Sequence, residues 1–190
     1  MTSSVLLFVF FFCIPFPAIS QEHNFLSLPQ REPIALWQGW LYNNGKTHEA
    51  IDYGCSIGDP IYAVADGIAM ASEQDLTAPY SYGYFVFIKH GNQYATLYAH
   101  LDTTAEHITT YPYALRANTN YDEWIPVKRG EQIGTCGNTG TQTPHLHFEL
   151  TGGAYAVGRI DAYDLYTTSQ LYTTNSKYTK HKWCDRFNCS

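Results

Sequence analysis

Short apolar runs separated by turn residues are the dominant pattern of this 190-residue chain. Residues 84–89 read Tyr-Phe-Val-Phe-Ile-Lys, and a second apolar run follows at residues 94–101. The His-Gly-Asn-Gln segment between them is typical of a hairpin turn. Five shorter runs are also predicted to be strands: residues 50–53, 61–64, 68–72, 131–134 and 145–150. No helical periodicity persists beyond three turns, so the pattern predicts a mainly β domain with antiparallel strands.

Composition supports this fold class and narrows the function. The chain has 16 Tyr and 10 Phe residues, a bias that favours strands. Its length is enough for one domain with its own core. The formal net charge is −6 with no long basic run, which argues against a nucleic-acid-binding protein. An acidic balance also gives no electrostatic attraction to anionic cell walls.

An apolar run at residues 5–19 precedes a polar segment that begins at Gln21. It predicts a secretory signal peptide over residues 1–20, with Ala18-Ile19-Ser20 as the cleavage site. The run is shorter than the ~20 residues that a membrane span needs, and it contains prolines. An uncleaved membrane anchor is the alternative. After cleavage we expect a secreted, periplasmic or cell-envelope protein without stable membrane association.

Histidine and aspartate residues flank several of the predicted strands. His145 and His147 stand two residues apart and therefore project from one strand face. His48 and Asp52 form a second group and His100 a third, and together they offer the donor types of a zinc site. Each group also has a simpler interpretation. His145 and His147 would be two half-exposed strand residues, His48 and Asp52 a surface ion pair, and His100 a hydrogen-bonded strand histidine. Spacing alone does not say which histidine of the pair binds metal.

In their order along the chain, these segments resemble the lysostaphin/LytM-type zinc metalloendopeptidases. The resemblance extends from about residue 45 to about residue 160. The matching segments are His-x-x-x-Asp at 48–52, Tyr-Gly-x-x-Val-x-Ile-x-His-Gly at 82–91, Thr-Leu-Tyr-Ala-His-Leu at 96–101, Val-x-x-Gly-x-x-Ile-Gly at 127–134, Gly-Asn-Thr-Gly at 137–140 and His-Leu-His-Phe-Glu at 145–149. The thermolysin-like arrangement is excluded because the chain lacks a His-Glu-x-x-His helix.

The resemblance implies a mainly β fold, the duplicated hybrid motif, with a single antiparallel β-sheet or sandwich-like domain. It implies one Zn2+ per chain, with His48, Asp52 and His147 as ligands. It assigns His100 and His145 as catalytic residues that do not bind the metal. The family often has Gly where Ala50 stands, and we expect Ala to be tolerated unless its φ is positive. Glu149 is either a group near the site or a surface residue, and it is assigned no role.

The resemblance also implies a function: a zinc endopeptidase that hydrolyses peptidoglycan peptides at a stem cross-link or a bridge. Together with the predicted signal peptide, this gives a secreted enzyme, which we expect to be a monomer. A non-catalytic regulator or binding module that retains the fold is one alternative. A zinc protease acting on protein substrates is another. Nothing in the sequence fixes the residues that select the substrate.

Cysteine usage agrees with export. Cys13 lies in the signal peptide, which leaves an even set of four: Cys55, Cys136, Cys184 and Cys189. Such a set predicts disulfides. A Cys184–Cys189 bridge would close a short loop, and a Cys55–Cys136 bridge would tie the two halves of the site together. Zinc binding by cysteines is the alternative, but Cys-x4-Cys has no second pair nearby.

The domain organisation follows from these segments. We expect a signal peptide at residues 1–20, a lead-in at 21–44, the metallopeptidase domain at 45–165 and a tail at 166–190. Residues 103–124 are longer than the family's connection and are predicted to be a loop insertion that overhangs the groove and grips substrate through aromatic residues. A passive surface flap is the alternative. The segment at residues 75–81 is predicted to form part of the opposite rim.

Overall fold

The fold is that of a computed structural model, which describes residues 26–31, 34–42, 46–77, 79–91, 94–113, 120–152 and 159–160. The predicted signal peptide, the tail at residues 166–190 and the Cys184–Cys189 pair lie outside these ranges. Among the residues that the structure describes, no helix has the length and apolar character needed to cross a membrane.

The described residues form a β domain, which confirms the predicted fold class. A short 3-10 helix spans Tyr121–Glu123. The strands are β1 Ala35–Gln38, β2 Ile51–Gly54, β3 Pro60–Tyr62, β4 Gly67–Gln74, β5 Gly83–Lys89, β6 Tyr94–Thr104, β7 Thr110–Pro112, β8 Ile125–Val127, β9 Gln132–Cys136, β10 His145–Gly152 and β11 Arg159–Ile160.

The strands belong to one hydrogen-bonded sheet with the main order β1-β2-β10-β6-β5-β4-β7. Neighbouring strands are antiparallel except β4 and β7, which are parallel. β9 pairs with both β3 and β6, and β8 pairs with β4. β2, β10 and β6 are therefore adjacent, and these strands carry most of the predicted site.

The sheet buries apolar side chains on both faces. The larger cluster includes Leu146, Phe148 and Leu150 of β10. The smaller cluster, on the other face, includes Phe85, Phe87 and Trp124. Because strand side chains alternate, the remaining residues of β10, including both histidines, project to the face of the smaller cluster.

The described part of the lead-in at residues 26–31 packs against the core. Leu26 and Leu28 are 1% and 2% exposed. The backbone N–H of Ser27 donates to the carbonyl of Val64 at 2.7 Å, and that of Tyr62 donates to the carbonyl of Pro29 at 2.8 Å. Residues 26–29 thus cover the β3 side of the larger cluster.

The segment at residues 103–124, predicted to be a loop insertion, contributes two side chains to the core. Within the described part of this segment, Ile108 joins the larger cluster and Trp124 the smaller one, each 3% exposed. β7 extends the sheet beyond β4, at the opposite end of the strand order from β1 and β2. No described residue of the 103–124 segment lines the groove described below. Trp124 therefore belongs to a core cluster and not to the aromatic surface that was expected to contact substrate. Residues 114–119 lie outside the described ranges, and an insertion over the groove stays a prediction.

One disulfide joins Cys55, which directly follows β2, to Cys136 at the end of β9. It closes a sequence separation of 81 residues. This is one of the pairings that the even cysteine set allowed, and it excludes zinc binding by these two cysteines. The bridge links the strand that carries Asp52 to the loop that follows β9.

Candidate metal centre

Asp52 and His147 lie directly opposite each other on the paired strands β2 and β10. Oδ1 of Asp52 is 3.0 Å from Nδ1 of His147, and Oδ2 of Asp52 is 3.3 Å from Nε2 of His48. One donor atom from each of the three residues lies within 4.8 Å of the other two. The structure thus brings together the three residues that the resemblance assigned to a metal.

His48 reaches this cluster from the segment before β2. The next residue, Glu49, has φ of 61°, in the left-handed region that non-glycine residues seldom adopt. The positive φ falls on Glu49 and not on Ala50, so the expectation that alanine is tolerated there holds. Nδ1 of His48 lies 3.0 Å from the carbonyl of Gly39. A carbonyl only accepts, so Nδ1 donates and Nε2 keeps its lone pair for the cluster.

His147 is fixed in the complementary way. Its Nε2 lies 3.1 Å from Oε1 of Glu149, a residue only 5% exposed. The ring therefore donates from Nε2 and turns Nδ1 towards Asp52. Hydrogen bonds of this kind, from a ligand histidine to a carboxylate, set the tautomer in metal sites. The sequence analysis assigned no role to Glu149. The available signal was its i, i+2 spacing from His147, which places both side chains on one strand face.

The three residues fit a zinc ion. Ligands at 2.0–2.2 Å in tetrahedral geometry are separated by roughly 3.3–3.6 Å. The Asp52–His48 and Asp52–His147 separations of 3.3 and 3.0 Å are close to that value. Two imidazoles and one carboxylate are ligands that zinc accepts, and the adjoining groove leaves room for a fourth.

The electrostatics of the cluster also favour a cation. Burial would lower the pKa of His147, but hydrogen bonds with Asp52 and Glu149 outweigh it and raise that pKa to about 9. Burial would raise the pKa of Asp52, but hydrogen bonds from His147 and His48 hold it well below its usual range. Asp52 is thus a carboxylate, and the pocket between the two acids stabilises positive charge.

His100 reaches the same face through a β-bulge in β6. Tyr98 pairs with Val86, but Leu101 pairs with Tyr84, so Ala99 and His100 together oppose one residue of β5. His100 itself has φ of 61°. A bulge shifts the alternation by one residue, so Tyr98 and Leu101 both enter the larger cluster while His100 turns to the site.

The Gly-Asn-Thr-Gly turn holds His100. Nδ1 of His100 lies 2.9 Å from the carbonyl of Thr139. Gly140 has φ of 70°, and a Cβ on Gly137 would lie 2.3 Å from the backbone nitrogen of Asp102. Both positions therefore require glycine for the turn to sit against β6. Burial first, and then His145 and His147, lower the pKa of His100 to about 4, so its ring is neutral at pH 7.

His145 is held by the loop at residues 137–144, which contains this turn. Its Nδ1 lies 2.8 Å from the carbonyl of Thr143, and its Nε2 is 3.8 Å from Oδ1 of Asp52. The ring centroids of His145 and His100 are 4.6 Å apart. Each of these rings donates from Nδ1 to a backbone carbonyl, which leaves each Nε2 with a lone pair beside the Asp52 cluster.

A surface groove in two adjoining parts, of about 530 and 310 Å³, runs over this cluster. Trp37 and Tyr80, 52% and 92% exposed, stand at its margins. Tyr80 belongs to the segment predicted as a rim. Tyr42 also lines the groove, with its ring centroid 4.8 Å from that of His48. Burial and the charge of Asp52 raise the pKa of the Tyr42 hydroxyl. The sequence analysis gave neither Trp37 nor Tyr42 a place at the groove, because nothing local to residues 34–42 relates them to the histidines.

Comparison with known proteins gives a consistent result. The model of Peptidase family M23 matches residues 46–158. The peptidoglycan DD-endopeptidase ShyA of Vibrio cholerae is 36% identical over 104 residues, which are 54% of this chain and 20% of that protein. The murein hydrolase activator NlpD of Salmonella typhimurium is 32% identical over 144 residues, 70% of this chain and 33% of that protein. The chain thus spans a fifth to a third of these relatives.

Solved structures share the fold. A zinc-containing peptidase from Vibrio cholerae aligns with a TM-score of 0.52 and 27% identity, over 68% of this chain and 37% of that one. The catalytic domain of lysostaphin from Staphylococcus simulans aligns with a TM-score of 0.53 and 21% identity, over 70% and 93% of the two chains.

Proposed function

The chain belongs to peptidase family M23, and we propose that it is a zinc-dependent endopeptidase that hydrolyses peptide bonds in peptidoglycan. The observation that carries the proposal is the convergence of five side chains at one end of the groove. His48, Asp52 and His147 present three donor atoms suited to a metal. His100 and His145 present two further ring nitrogens beside them.

In this proposal His48, Asp52 and His147 hold one zinc ion. Zinc at such a site supplies Lewis-acid polarisation of a carbonyl and lowers the pKa of a coordinated water to about 7. The protein groups around it are already oriented for this task. His48 is held by the Gly39 carbonyl and His147 by Glu149, so little reorganisation is needed when the ion binds.

The two remaining histidines are proposed as the acid–base groups. Their rings are anchored through Nδ1, and the free Nε2 of each can accept a proton from the attacking water and return one to the leaving amine. Burial lowers the pKa of His100 to about 4, so its ring is neutral at pH 7 and its Nε2 is free of a proton. The Tyr42 hydroxyl, at the groove and protonated at neutral pH, is proposed to donate to the oxyanion of the tetrahedral state.

The proposed substrate is a peptidoglycan peptide, at a stem cross-link or bridge, and the proposed location is the cell envelope or the exterior. Two observations support this substrate. The groove lies at the surface above the histidines, with Trp37 and Tyr80 at its margins and the polar residues Thr141, Gln142 and Thr143 along it. ShyA, named as a peptidoglycan DD-endopeptidase, is among the relatives.

Digestion of purified sacculi tests the proposal directly. We expect the protein to release peptide-linked fragments from sacculi, identified by mass spectrometry of the soluble products, and to leave an unstructured protein of similar concentration intact. A chelator should stop the release and added zinc should restore it. Cleavage of the unstructured protein alone would favour a protease of protein substrates, and cleavage of neither would contradict the enzymatic proposal.

A non-catalytic activator is the second candidate, since one relative is named as a murein hydrolase activator. The same assay separates the two. An activator should be inactive alone and should increase fragment release by an added amidase. The complete set of His48, Asp52, His100, His145 and His147 favours the enzyme, because an activator has no need to keep every one of these side chains in this geometry.

A further inference from the structure

Arg159 on β11 is bound to three acceptors at once. Its Nε lies 2.9 Å from Oε2 of Glu149, its Nη1 lies 2.7 Å from Oε2 of Glu49, and its Nη2 lies 2.9 Å from the hydroxyl of Tyr82. The Tyr82 hydroxyl in turn donates to Oε1 of Glu149 at 2.7 Å. Every nitrogen of the guanidinium is thus engaged, so this is a built arrangement and not a loose surface ion pair.

The two acids that Arg159 binds belong to the two segments that carry the histidine donors. Glu149 accepts from Nε2 of His147 at 3.1 Å, so it sets the direction of that ring. Glu49 directly follows His48, and its backbone has a left-handed φ of 61°. Arg159 therefore binds both the residue that follows His48 and the carboxylate that orients His147.

Burial makes this contact matter for Glu149. The Glu149 side chain is 7% exposed, whereas those of Arg159 and Glu49 are 37% and 44% exposed. A buried carboxylate needs a compensating charge and full hydrogen bonding, and here Tyr82 and Arg159 supply both. Lysine carries the same charge but lacks the planar fork, so it cannot reach all three acceptors in this geometry.

We propose that Arg159 is a positioning residue for the metal centre, holding Glu149 and Glu49 so that His147 and His48 keep their donor atoms directed at one ion. The inference rests on the proposed function of the site as a zinc centre. Arg159 lies outside every segment on which the family resemblance was based, and it neither lines the groove nor contacts the donor atoms.

Zinc affinity is the test, measured on the purified protein by competition with a chromophoric chelator. Removal of groups that support a ligand weakens metal binding by about 10–100-fold, and we expect a loss in that range for Arg159→Met. Arg159→Lys should fall between Arg159→Met and the wild type. Lys128→Met is the matched control, because it removes an exposed pair with Asp66 at 3.1 Å and should leave the affinity unchanged.

A second comparison separates positioning from general stabilisation. In a Glu149→Gln background, Arg159→Met should weaken zinc binding less than in the wild type, because one of the two acids through which Arg159 acts is already altered. Fully additive losses would overturn the proposal, as would an Arg159→Met protein with wild-type zinc affinity. If Arg159→Met does not fold, Arg159→Lys alone decides, and unchanged affinity there contradicts the proposal. Absence of zinc binding by the wild type would instead reject the proposed function.

Discussion

Nδ1 of His147 lies 3.0 Å from Oδ1 of Asp52, although 95 positions separate the two residues in sequence. The contact follows from strand register, since β2 and β10 are antiparallel with these residues directly opposite. A shift of one residue in that register would turn His147 into the apolar cluster that holds Leu146 and Phe148. The packing of the core on one face of β10 therefore fixes the donor geometry on the other.

Loss of either residue should remove the metal. We expect near-stoichiometric zinc in the purified wild-type protein and a large loss in Asp52→Ala and His147→Ala, measured by elemental analysis after dialysis. His107→Ala is a suitable control, because His107 is an exposed histidine paired with Glu131 at 2.8 Å, outside the metal cluster. Full zinc content in both cluster variants would contradict the assignment.

The two histidines held by the 137–144 loop should behave differently from the metal cluster. His100→Ala and His145→Ala each leave three donors in place, so zinc should remain while kcat falls by on the order of a hundredfold or more. Zinc content and turnover are measured on the same preparations. Loss of zinc in His145→Ala together with its retention in His147→Ala would mean that the roles of the pair are reversed.

Local patterns predicted the longer strands β5, β6 and β10, whereas the grouping of the site residues came from the family resemblance. Alternation on β10 places His145 and His147 on one face, and the structure has them there. The bulge at His100 was beyond prediction, because it depends on how β6 pairs with β5 and leaves no local signal. The contacts of Glu149 with Arg159 are equally invisible, since they join residues from separate strands.

For residues 103–124 the sequence pattern indicated an exposed segment, whereas the structure buries Ile108 and Trp124. The segment's lack of a clean period suggested a surface loop, and its aromatic residues suggested substrate contact. A Trp can be buried without any periodic signal when it fills a single gap in a sheet face, and Trp124 does so against Phe87, with ring centroids 5.9 Å apart. Composition gives no means of distinguishing a buried aromatic residue from an exposed one in such a segment.

The Cys55–Cys136 disulfide should stabilise both the fold and the metal centre. It closes a long loop, and removal of a native disulfide from a small exported domain costs about 2–5 kcal/mol. The double variant Cys55→Ala/Cys136→Ala should therefore unfold at a lower denaturant concentration than the wild type. Its zinc affinity should also fall, because the bridge joins the strand of Asp52 to the loop that holds His100. A variant with unchanged stability under oxidising conditions would contradict this role.

His100 should make stability depend on pH. Its pKa is lowered to about 4 in the folded protein, below the ordinary value of 6.5. In that interval the unfolded chain binds the proton and the folded protein does not, so the contribution of His100 is present above pH 6.5 and is lost as the pH falls towards 4.

The comparison variant is His100→Asn, since Asn tolerates a left-handed φ. Denaturant unfolding of zinc-free protein should show that the stability difference between wild type and variant shifts against the wild type by roughly 2–3 kcal/mol between pH 7 and pH 4. Parallel pH profiles of the two proteins would show that His100 does not titrate in this way.

The buried position of Trp124 leads to a prediction about stability. Its side chain is 3% exposed, packs edge-on against Phe87, and closes the cluster that holds Phe85 and Leu97. Trp124→Ala leaves a large cavity and should lower the free energy of unfolding by about 3–5 kcal/mol. Tyr80→Ala is the matched control, because Tyr80 is 92% exposed at the groove and should affect stability little while raising KM on sacculi. If Trp124→Ala kept wild-type stability but raised KM, the 103–124 segment would contact substrate after all and the core assignment would be wrong.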